Sequence, residues 1–326
     1  MIARALRAKR VAAGALTLAS PEVKFSLSNE SDSPTDVGAY QLVEANKTVE
    51  EFMLLGNVLV ANRLLESYPG LTLLRNHPSP PVGKFKELIE LAATAGVELD
   101  VSSSRALADS LDLATREGDP YFNKLLRILS TRCMAPAKYF CSSDKPREEW
   151  LHYGLAAPTY THFTSPIRRY ADVVVHRLLA AAINAEALPK QYTNSDAKTE
   201  LKNVTTNLNA RNKSAQLAGR DSVALYTRLY FRDHAQARIE ARVLNVTPEK
   251  IDILVPRFGI EGTIWLVPRG DEDVKVANAA VADISHDEAL HKVAWTCGDG
   301  GRATVKIFDI VSFSLCLFVR ARSHAV

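Results

Sequence analysis

An adjacent arginine pair beside a Ser-Pro step is the feature of this 326-residue sequence best suited to chemistry. Ser165 and Pro166 are followed by Arg168 and Arg169, and aromatic residues and histidines crowd the surrounding residues 153–183. Ser is a preferred N-cap and Pro is preferred at the first helical position, so a helix is predicted to begin at Ser165. A helix N-terminus offers unpaired N–H groups and a positive dipole end, beside which two guanidinium groups add fixed charge. This stretch therefore predicts a phosphate-binding site.

Apolar residues after Pro166 recur every three or four positions, which predicts one buried helix face. The residues assigned to that face are Ile167, Tyr170, Ala171, Val174, Leu178 and Ile183. A second interpretation stays open, because Arg168 and Asp172 have the spacing of an i,i+4 surface pair and Tyr170 suits a core position. The spacing alone is compatible with a phosphate site and with an ordinary capped helix.

Residues 160–179 read Y-x-H-F-T-S-P-I-R-R-Y-A-D-x-x-x-H-R-L-L. This string resembles the signature near the end of the catalytic domain of the RNase II (RNB) family. Four further segments resemble the eukaryotic, exosome-type branch of that family, and they are residues 14–25, 42–57, 73–81 and 125–134. The similarity covers most of residues 1–267 and fades after that. The chain is thus identified as a member of this family, and it resembles the C-terminal half of its exoribonucleases.

The resemblance implies an α+β fold: the C-terminal part of an RNB catalytic domain, followed by a small all-β S1-type OB-fold barrel. The expected division is residues 1–187 for the catalytic part, 188–234 for a terminal basic helix and linker, and 235–326 for the barrel. Three short strands are predicted between residues 238 and 267. After Ile264, residues 304–320 supply one strand or at most a bent pair, so an open or incomplete barrel is expected.

The resemblance also implies the roles of individual residues in a 3′-to-5′ exoribonuclease. Arg168 is expected to contact the scissile or adjacent phosphate, Arg169 to assist it, and Glu51 to help place a metal-bound water or a ribose. Tyr160 and His162 are expected to line the RNA channel. Further residues expected to contact RNA are Thr164, Ser165, Tyr170, Arg211, Lys213, Arg220, Arg257 and Phe258.

Residues 42–67 predict the long helix that carries Glu51. The apolar positions assigned to its core face are Val49, Phe52, Met53, Gly56, Leu59, Val60 and Leu64. Two alternatives stay open at the candidate sites. The glutamate can be a solvated side chain paired back to Lys47, and Phe258 can be a buried core residue instead of a stacking surface.

The family resemblance implies Mg²⁺-dependent hydrolysis, in which clustered aspartates hold the metal ions that activate water. That aspartate cluster is expected upstream of residue 1, so no metal ligands are expected from this chain. The acidic run Asp271, Glu272 and Asp273 falls in a loop of the expected barrel and offers no substitute. The alternative function is therefore an RNA-binding fragment or exosome-associated RNA-binding protein without catalysis.

The net charge is only +3, but the positive charge is concentrated. Residues 121–185 carry nine Lys or Arg against four Asp or Glu, and residues 202–232 carry six against one. Such concentration suits a groove for a polyanion, although basic faces are more often simply solvated. Single-stranded RNA and the core subunits of the RNA exosome are the partners that the family resemblance implies.

The cysteines, the hydropathy and the basic N-terminus bear on where in the cell the protein is expected. The four cysteines are dispersed and read as reduced thiols of a nuclear or cytoplasmic protein. The absence of an apolar run near the ~18 residues that span a bilayer predicts a soluble protein. The first acidic residue is Glu22, and an Arg-rich, acid-poor start can be a transit peptide. The run continues directly into the family-like segment at Gly14, which favours a place inside the domain.

Overall fold

The computed structural model describes residues 1–18, 23–27, 34–39, 43–234, 236–267, 281–297 and 300–315. The helices within these ranges are α1 Ile2–Ala12, α2 Glu44–Ser67, α3 Lys86–Thr94, α4 Ser104–Leu113, α5 Phe122–Arg132, α6 Tyr170–Ala182 and α7 Ala197–Asp233. The strands are β1 Val23–Ser26, β2 Asp36–Ala39, β3 Leu73–Asn76, β4 Lys138–Cys141, β5 Gln236–Val246, β6 Lys250–Val255, β7 Ile260–Trp265, β8 Ala282–Asp287, β9 Lys292–Thr296, β10 Arg302–Lys306 and β11 Ile310–Leu315. The predicted α+β class is confirmed. None of the described helices is long and apolar enough to cross a membrane.

Local sequence signals set the three short helices α3, α4 and α5. Gly96 ends the α3 segment with φ +76°, a left-handed backbone that glycine adopts without a Cβ penalty. Ser103 caps α4, because its hydroxyl accepts the Ala106 N–H at 3.0 Å. The apolar faces of the three helices pack on one another around Leu107 and Leu125. We call α3, α4 and α5 the helical part.

The long helix α2 confirms the predicted helix but only part of its predicted core face, since Leu64 is buried and Val60 packs against the same core. Val49, Phe52 and Leu59 are about half exposed, whereas the buried residues are Glu51, Asn57, Ala61 and Leu64. Apolar residues occur around most of the α2 circumference, so their periodicity does not select a single face. The buried polar side chains Glu51 and Asn57 show instead which side faces the protein.

A second core holds the signature residues in place. It brings the antiparallel pair β3 and β4 together with α2, α6 and α7, through residues such as Leu73, Tyr139, Val174 and Leu201. The terminal basic helix predicted within residues 188–234 is confirmed as α7. This core therefore places β4, α2 and α6 side by side, and each of them contributes to the candidate site.

Strands β5 to β11, which we call the strand part, form two antiparallel sheets. Their strand orders are β11-β5-β6-β7 and β10-β9-β8. Among the described residues no strand pairing joins the two sheets, so the predicted open barrel is confirmed. The expectation of one strand or a bent pair after Ile264 is wrong, because β8 and β9 are also present. The six residues of β8 include only one large apolar residue, Ile284, so no apolar alternation marks the strand.

Candidate nucleic-acid interface

A short turn presents the arginine pair. The predicted helix start at Ser165 is wrong, since α6 begins at Tyr170. The carbonyl oxygen of Ser165 accepts the backbone N–H groups of Arg168 and Arg169 at 3.3 and 3.1 Å, which closes the turn. The buried carboxylate of Asp172 accepts the Ser165 N–H at 2.7 Å and holds the chain in this conformation before the helix. The arginines therefore project from a turn that is tied down at its base.

The two arginines differ in their partners. Arg169 is locked to Asp172 by two hydrogen bonds of 2.8 Å, one from Nε and one from Nη2. Arg168 is exposed, and no side-chain hydrogen bond or ion pair involves it among the residues that the structure describes. The alternative pair of Arg168 with Asp172 is wrong, because the neighbouring arginine takes that partner. The guanidinium fork of Arg168 is therefore available to an anion.

Residues 164–170, which we call the signature tip, stand clear of the core. Ile167 is fully exposed and Tyr170 is 53% exposed, so their assignment to a buried face is wrong, as is that of Ile183. The turn places Ile167 before the helix, where the helical period no longer applies. Ala171, Val174 and Leu178 are buried as predicted. The tip brings together Thr164, Ser165, Arg168, Arg169 and Tyr170.

Beneath the tip lies a group of buried or partly buried polar rings and one buried amide, which we call the support layer: Asn57, Tyr139, His152, Tyr160 and His162. Asn57 Nδ2 donates to the Tyr160 hydroxyl at 2.9 Å, and its Oδ1 accepts the Phe163 N–H at 2.8 Å. The Tyr139 hydroxyl lies 2.6 Å from His162 Nδ1. The Tyr160 ring makes edge contacts with both histidine rings at centroid distances of 5.1 and 5.5 Å. Tyr160 is buried, so its position here is that of a support and not of an exposed stacking surface.

Burial keeps the support layer uncharged. It lowers the pKa of His162 to about 2, with further lowering from the positive charges of Arg75 and Arg169. Burial likewise lowers the pKa of His152 to about 3, with a smaller contribution from His77. It also raises the pKa of Tyr160. The layer therefore holds neutral imidazoles and phenols under a positively charged tip.

A pocket of about 430 Å³ opens between α2 and the signature tip. It is lined by Ala45, Asn46, Val49, Glu50, Met53, Leu54, Asn57, Tyr160 and Arg169. Glu51 is not among these residues. It is buried and paired with Arg10 of α1, with an Nη2 to Oε1 distance of 2.5 Å. The interpretation of Glu51 as a solvated partner of Lys47 is therefore wrong, and its catalytic role stays a prediction.

The middle of α7 carries three of the predicted RNA contacts on a bare stretch of helix. Residues 210–225 are all exposed, and they include Arg211, Lys213 and Arg220. Asn209, at the start of this stretch, exchanges two 2.8 Å hydrogen bonds with the backbone of Tyr139. Because Tyr139 belongs to the support layer, the bare stretch starts beside the signature, and its distal end runs away from it.

The turn between β6 and β7 carries the last two predicted contacts. Arg257 is exposed, and its guanidinium carbon lies 5.2 Å from the centre of the Phe258 ring. Phe258 is buried against Tyr230 and Phe231 at the end of α7, which is the alternative left open by the sequence. The aromatic ring therefore supports the arginine and joins α7 to the strand part.

Two residues that hold the candidate site in place were missed by sequence reasoning, namely Asn57 and Asp172. Asn57 is a buried amide within an apolar helix, and Asp172 is a fully buried carboxylate. A lone polar residue inside an apolar periodic stretch is the signal that could have identified both, because a buried polar group needs a partner. Their partners come from loops distant in sequence or from a neighbour three residues away, which periodicity does not reveal.

No three His, Cys, Asp or Glu side chains in the described part of the chain are grouped so that they could hold a metal ion. Asp271, Glu272 and Asp273 lie outside the described residues. The pocket beside Arg169 contains one carboxylate, Glu50, which alone does not match the oxygen ligand set that Mg²⁺ requires. The described residues therefore do not fit a magnesium site.

The candidate site combines an exposed arginine on a turn fixed by hydrogen bonds, an exposed basic stretch of α7 and a basic turn between β6 and β7. These features are typical of proteins that bind anionic polymers. Residues 1–185 match the model of the RNB domain, and the chain belongs to the RNB family. It is 52% identical over 271 residues to the exosome complex exonuclease RRP44 homolog A of Arabidopsis thaliana, covering 83% of this chain and 28% of that protein. It is 46% identical to the human exosome complex exonuclease RRP44 over 264 residues, covering 81% and 27%.

Among solved structures, the apo form of Mycoplasma genitalium RNase R matches with a TM-score of 0.77 and 20% identity, covering 96% of this chain and 46% of that one. At this identity the match shows the shared fold. The chain spans less than a third of the length of the two curated relatives described above. The family prediction made from the signature residues is confirmed.

Proposed function

We propose that this chain supplies the phosphate-gripping and RNA-guiding part of a 3′-to-5′ exoribonuclease that acts on single-stranded RNA. The observation that carries the proposal is the division between the two arginines. Asp172 holds Arg169 and the base of the turn, and Arg168 projects from the turn with no side-chain partner among the residues that the structure describes. A planar fork grips two phosphate oxygens at once, which a flexible ammonium group does not do.

The proposed path for the RNA continues from the tip along the bare stretch of α7. Arg211, Lys213 and Arg220 would neutralise backbone phosphates there, and Arg257 would do so on the strand part. Thr164, Ser165 and Tyr170 would contact the nucleotide at the tip. The catalytic part would then comprise residues 1–187. Residues 188–234 would supply the connecting helix, and residues 235–326 would form an S1-like RNA-binding part.

The metal-dependent step would need residues from outside this chain. The resemblance implies an upstream aspartate cluster that holds Mg²⁺, and the described residues alone do not fit such a site. Arg168 would then bind the phosphate that those aspartates face. The exosome core subunits are the proposed protein partners, because the relatives bear the name of exosome exonucleases. A nuclear or cytoplasmic location accompanies that proposal.

The second candidate function is RNA binding without hydrolysis, favoured by the absence of a grouped ligand set in the described residues. Both candidates predict that the 326-residue chain binds single-stranded RNA in preference to blunt duplex. The logarithm of the binding constant should fall with the logarithm of salt concentration, with a slope of about −0.7 per phosphate contacted. Salt-independent binding, or equal affinity for duplex, would contradict both.

The matched test of the site compares Arg168→Ala with Arg147→Ala. Arg147 is also exposed, but two glutamates follow it directly. Loss of a charge-assisted contact should weaken single-stranded RNA binding by about tenfold or more at position 168 and leave it unchanged at position 147. Equal effects of the two substitutions would show that the arginine contributes general charge and not a specific contact.

Hydrolysis separates the two candidates. With Mg²⁺, the 326-residue chain should leave a 5′-labelled RNA intact, whereas a longer chain that extends upstream through the expected aspartates should shorten the RNA from its 3′ end. Arg168→Ala in the longer chain should slow this shortening. A longer chain that binds RNA without shortening it would establish the second candidate. Shortening by the 326-residue chain alone would mean that metal ligands lie within it.

A further inference from the structure

The strand part is anchored in the helical part through the turn between β10 and β11. Phe308 lies in this turn, and its side chain is 1% exposed. Its ring meets the edge of Phe122 in α5 at a centroid distance of 5.1 Å and an interplanar angle of 75°. Phe308 and Ile307 thus belong to the same buried cluster as the helical residues Leu107 and Leu125.

The backbone at Phe308 is held in an uncommon conformation to make this contact. Its φ is +66°, a region in which a bulky residue is a genuine outlier. Such a conformation persists only where the surroundings hold it. Two backbone hydrogen bonds to β5 do so, from Phe308 N to Val243 O at 3.1 Å and from Val243 N to Asp309 O at 3.0 Å.

A second residue of β5 reaches the same interface at a β-bulge. The pairing register of β5 with β6 shifts between Val243 and Asn245, so Leu244 is the extra residue of the bulge and has no partner in β6. Before the bulge, Ala241 and Val243 pack inside the strand part, whereas Leu244 joins the helical cluster. Leu254 of β6, which is the strand partner of Arg242 in β5, also belongs to the helical cluster. The strand part is therefore buried on both faces of β5 and β6 at this point.

A buried ion pair borders the anchor. Arg242 Nη2 lies 3.3 Å from Asp119 Oδ1, and both side chains are buried. Asp119 also organises the start of α5, because its Oδ1 accepts the Tyr121 N–H at 3.2 Å and its carbonyl accepts the Phe122 N–H at 3.2 Å. Separating the two parts would leave two buried charges unpaired, which is costly, so the ion pair favours a single relative position of the two parts.

We infer that Phe308, together with Arg242, is a positioning residue that holds the strand part at a fixed place, so that one RNA strand meets Arg257 and the signature tip along a single path. This inference rests on the proposed function, because it requires RNA contacts on both parts. If the two contact sites are fixed relative to each other, a long RNA gains affinity, because its second contact is effectively intramolecular once the first has formed. A short RNA that reaches one site gains nothing from the anchor.

The test uses the 326-residue chain with oligouridylates of 5 and 20 nucleotides. Phe308→Gly removes the ring and accepts the left-handed backbone, and Phe308→Leu keeps apolar bulk. We expect Phe308→Gly to lose tenfold or more affinity for the 20-mer while its affinity for the 5-mer stays within twofold, and Phe308→Leu to recover most of the loss. Hydrogen exchange of α5 and β10 should accelerate in Phe308→Gly alone.

Unchanged 20-mer affinity would overturn the inference, and so would a parallel loss for both lengths, which indicates general destabilisation. The double variant Asp119→Asn/Arg242→Gln supplies an independent test if Phe308→Gly folds poorly. It removes both charges from the same interface and should lower only the 20-mer affinity, whereas a parent-like 20-mer affinity would contradict the anchor. Failure of Arg168→Ala to weaken 5-mer binding would instead refute the proposed function, whatever the anchor variants do.

Discussion

The signature tip and three of the five residues of the support layer come from one short stretch of sequence, yet the tip and the layer are opposite in character. The tip is exposed and positively charged, with Ile167 fully exposed and Arg168 without a side-chain partner in the described structure. The layer below it is buried and neutral, with the pKa of His162 lowered to about 2 by burial. The contrast indicates that a continuous sequence motif contains two kinds of residues, those that can meet a ligand and those that hold them in position.

The largest loss of stability is expected when the hydrogen bonds at the base of the signature tip are removed. Asp172→Asn removes the charge that binds Arg169 and weakens the hydrogen bond to the Ser165 N–H. Breaking one partner of a buried ion pair costs about 3–5 kcal/mol of unfolding free energy, which urea denaturation measures. Arg168→Ala, the control on the tip, should change it by less than about 0.5 kcal/mol. A small cost at Asp172 would mean that the tip does not depend on this carboxylate.

A change in the support layer itself should cost less. Asn57→Leu keeps the side-chain size but leaves the Tyr160 hydroxyl and the Phe163 N–H without this partner. A buried group left unsatisfied costs about 1–3 kcal/mol, and the bond to the Phe163 N–H is only part-buried, so a total of about 2–4 kcal/mol is expected. Denaturation of Asn57→Leu beside Asn203→Leu, at an exposed position on α7, provides the comparison. Equal effects of the two changes would remove the distinction between support and surface.

Acid should weaken the support layer through its histidines. In the unfolded chain a histidine has a pKa near 6.5, whereas burial lowers the folded pKa of His152 and His162 to about 3 and about 2. As pH falls below about 6.5 the unfolded chain binds protons that the folded chain does not, so stability present at neutral pH is lost progressively towards pH 3. Between pH 7 and pH 5 the expected loss is about 2 kcal/mol per histidine.

His162→Gln should remove that part of the acid dependence. Denaturation of the parent and the variant at pH 7 and pH 5 measures it as a smaller drop in unfolding free energy for the variant. The glutamine keeps a polar group near the Tyr139 hydroxyl, so the stability at pH 7 should fall less than for an apolar replacement. An identical drop in both proteins would show that His162 is already protonated or solvated when folded.

The sequence does not predict most of this contrast between the signature tip and the support layer. The helices α2 and α7 and the first three strands of the strand part were predicted well, because long periodic or alternating stretches leave few alternatives. The start of α6 was wrong because Asp172 binds the backbone of Ser165, and side-chain hydrogen bonds of this kind leave no periodic trace. The family resemblance places Tyr160 and Glu51 near RNA, and their burial depends on partners such as Asn57 and Arg10 that lie far away in sequence.

The smallest expected change in stability gives the sharpest comparison between the arginines. Arg168→Lys keeps the charge, and because this side chain has no partner in the described structure, the unfolding free energy should change by less than about 0.5 kcal/mol. Arg169→Lys loses one of two hydrogen bonds to buried Asp172 and should cost about 1–3 kcal/mol. The RNA affinities should not follow this order, because lysine at position 168 lacks the planar fork for a phosphate and should weaken single-stranded RNA binding by about threefold to tenfold. Fluorescence anisotropy with a labelled 15-mer, beside denaturation of the same samples, measures both quantities. A contrary result would be an Arg168→Lys variant that is destabilised as much as Arg169→Lys and binds RNA with unchanged affinity. Arg168 would then be a structural residue, and the signature tip would not differ from the support layer in the way described here.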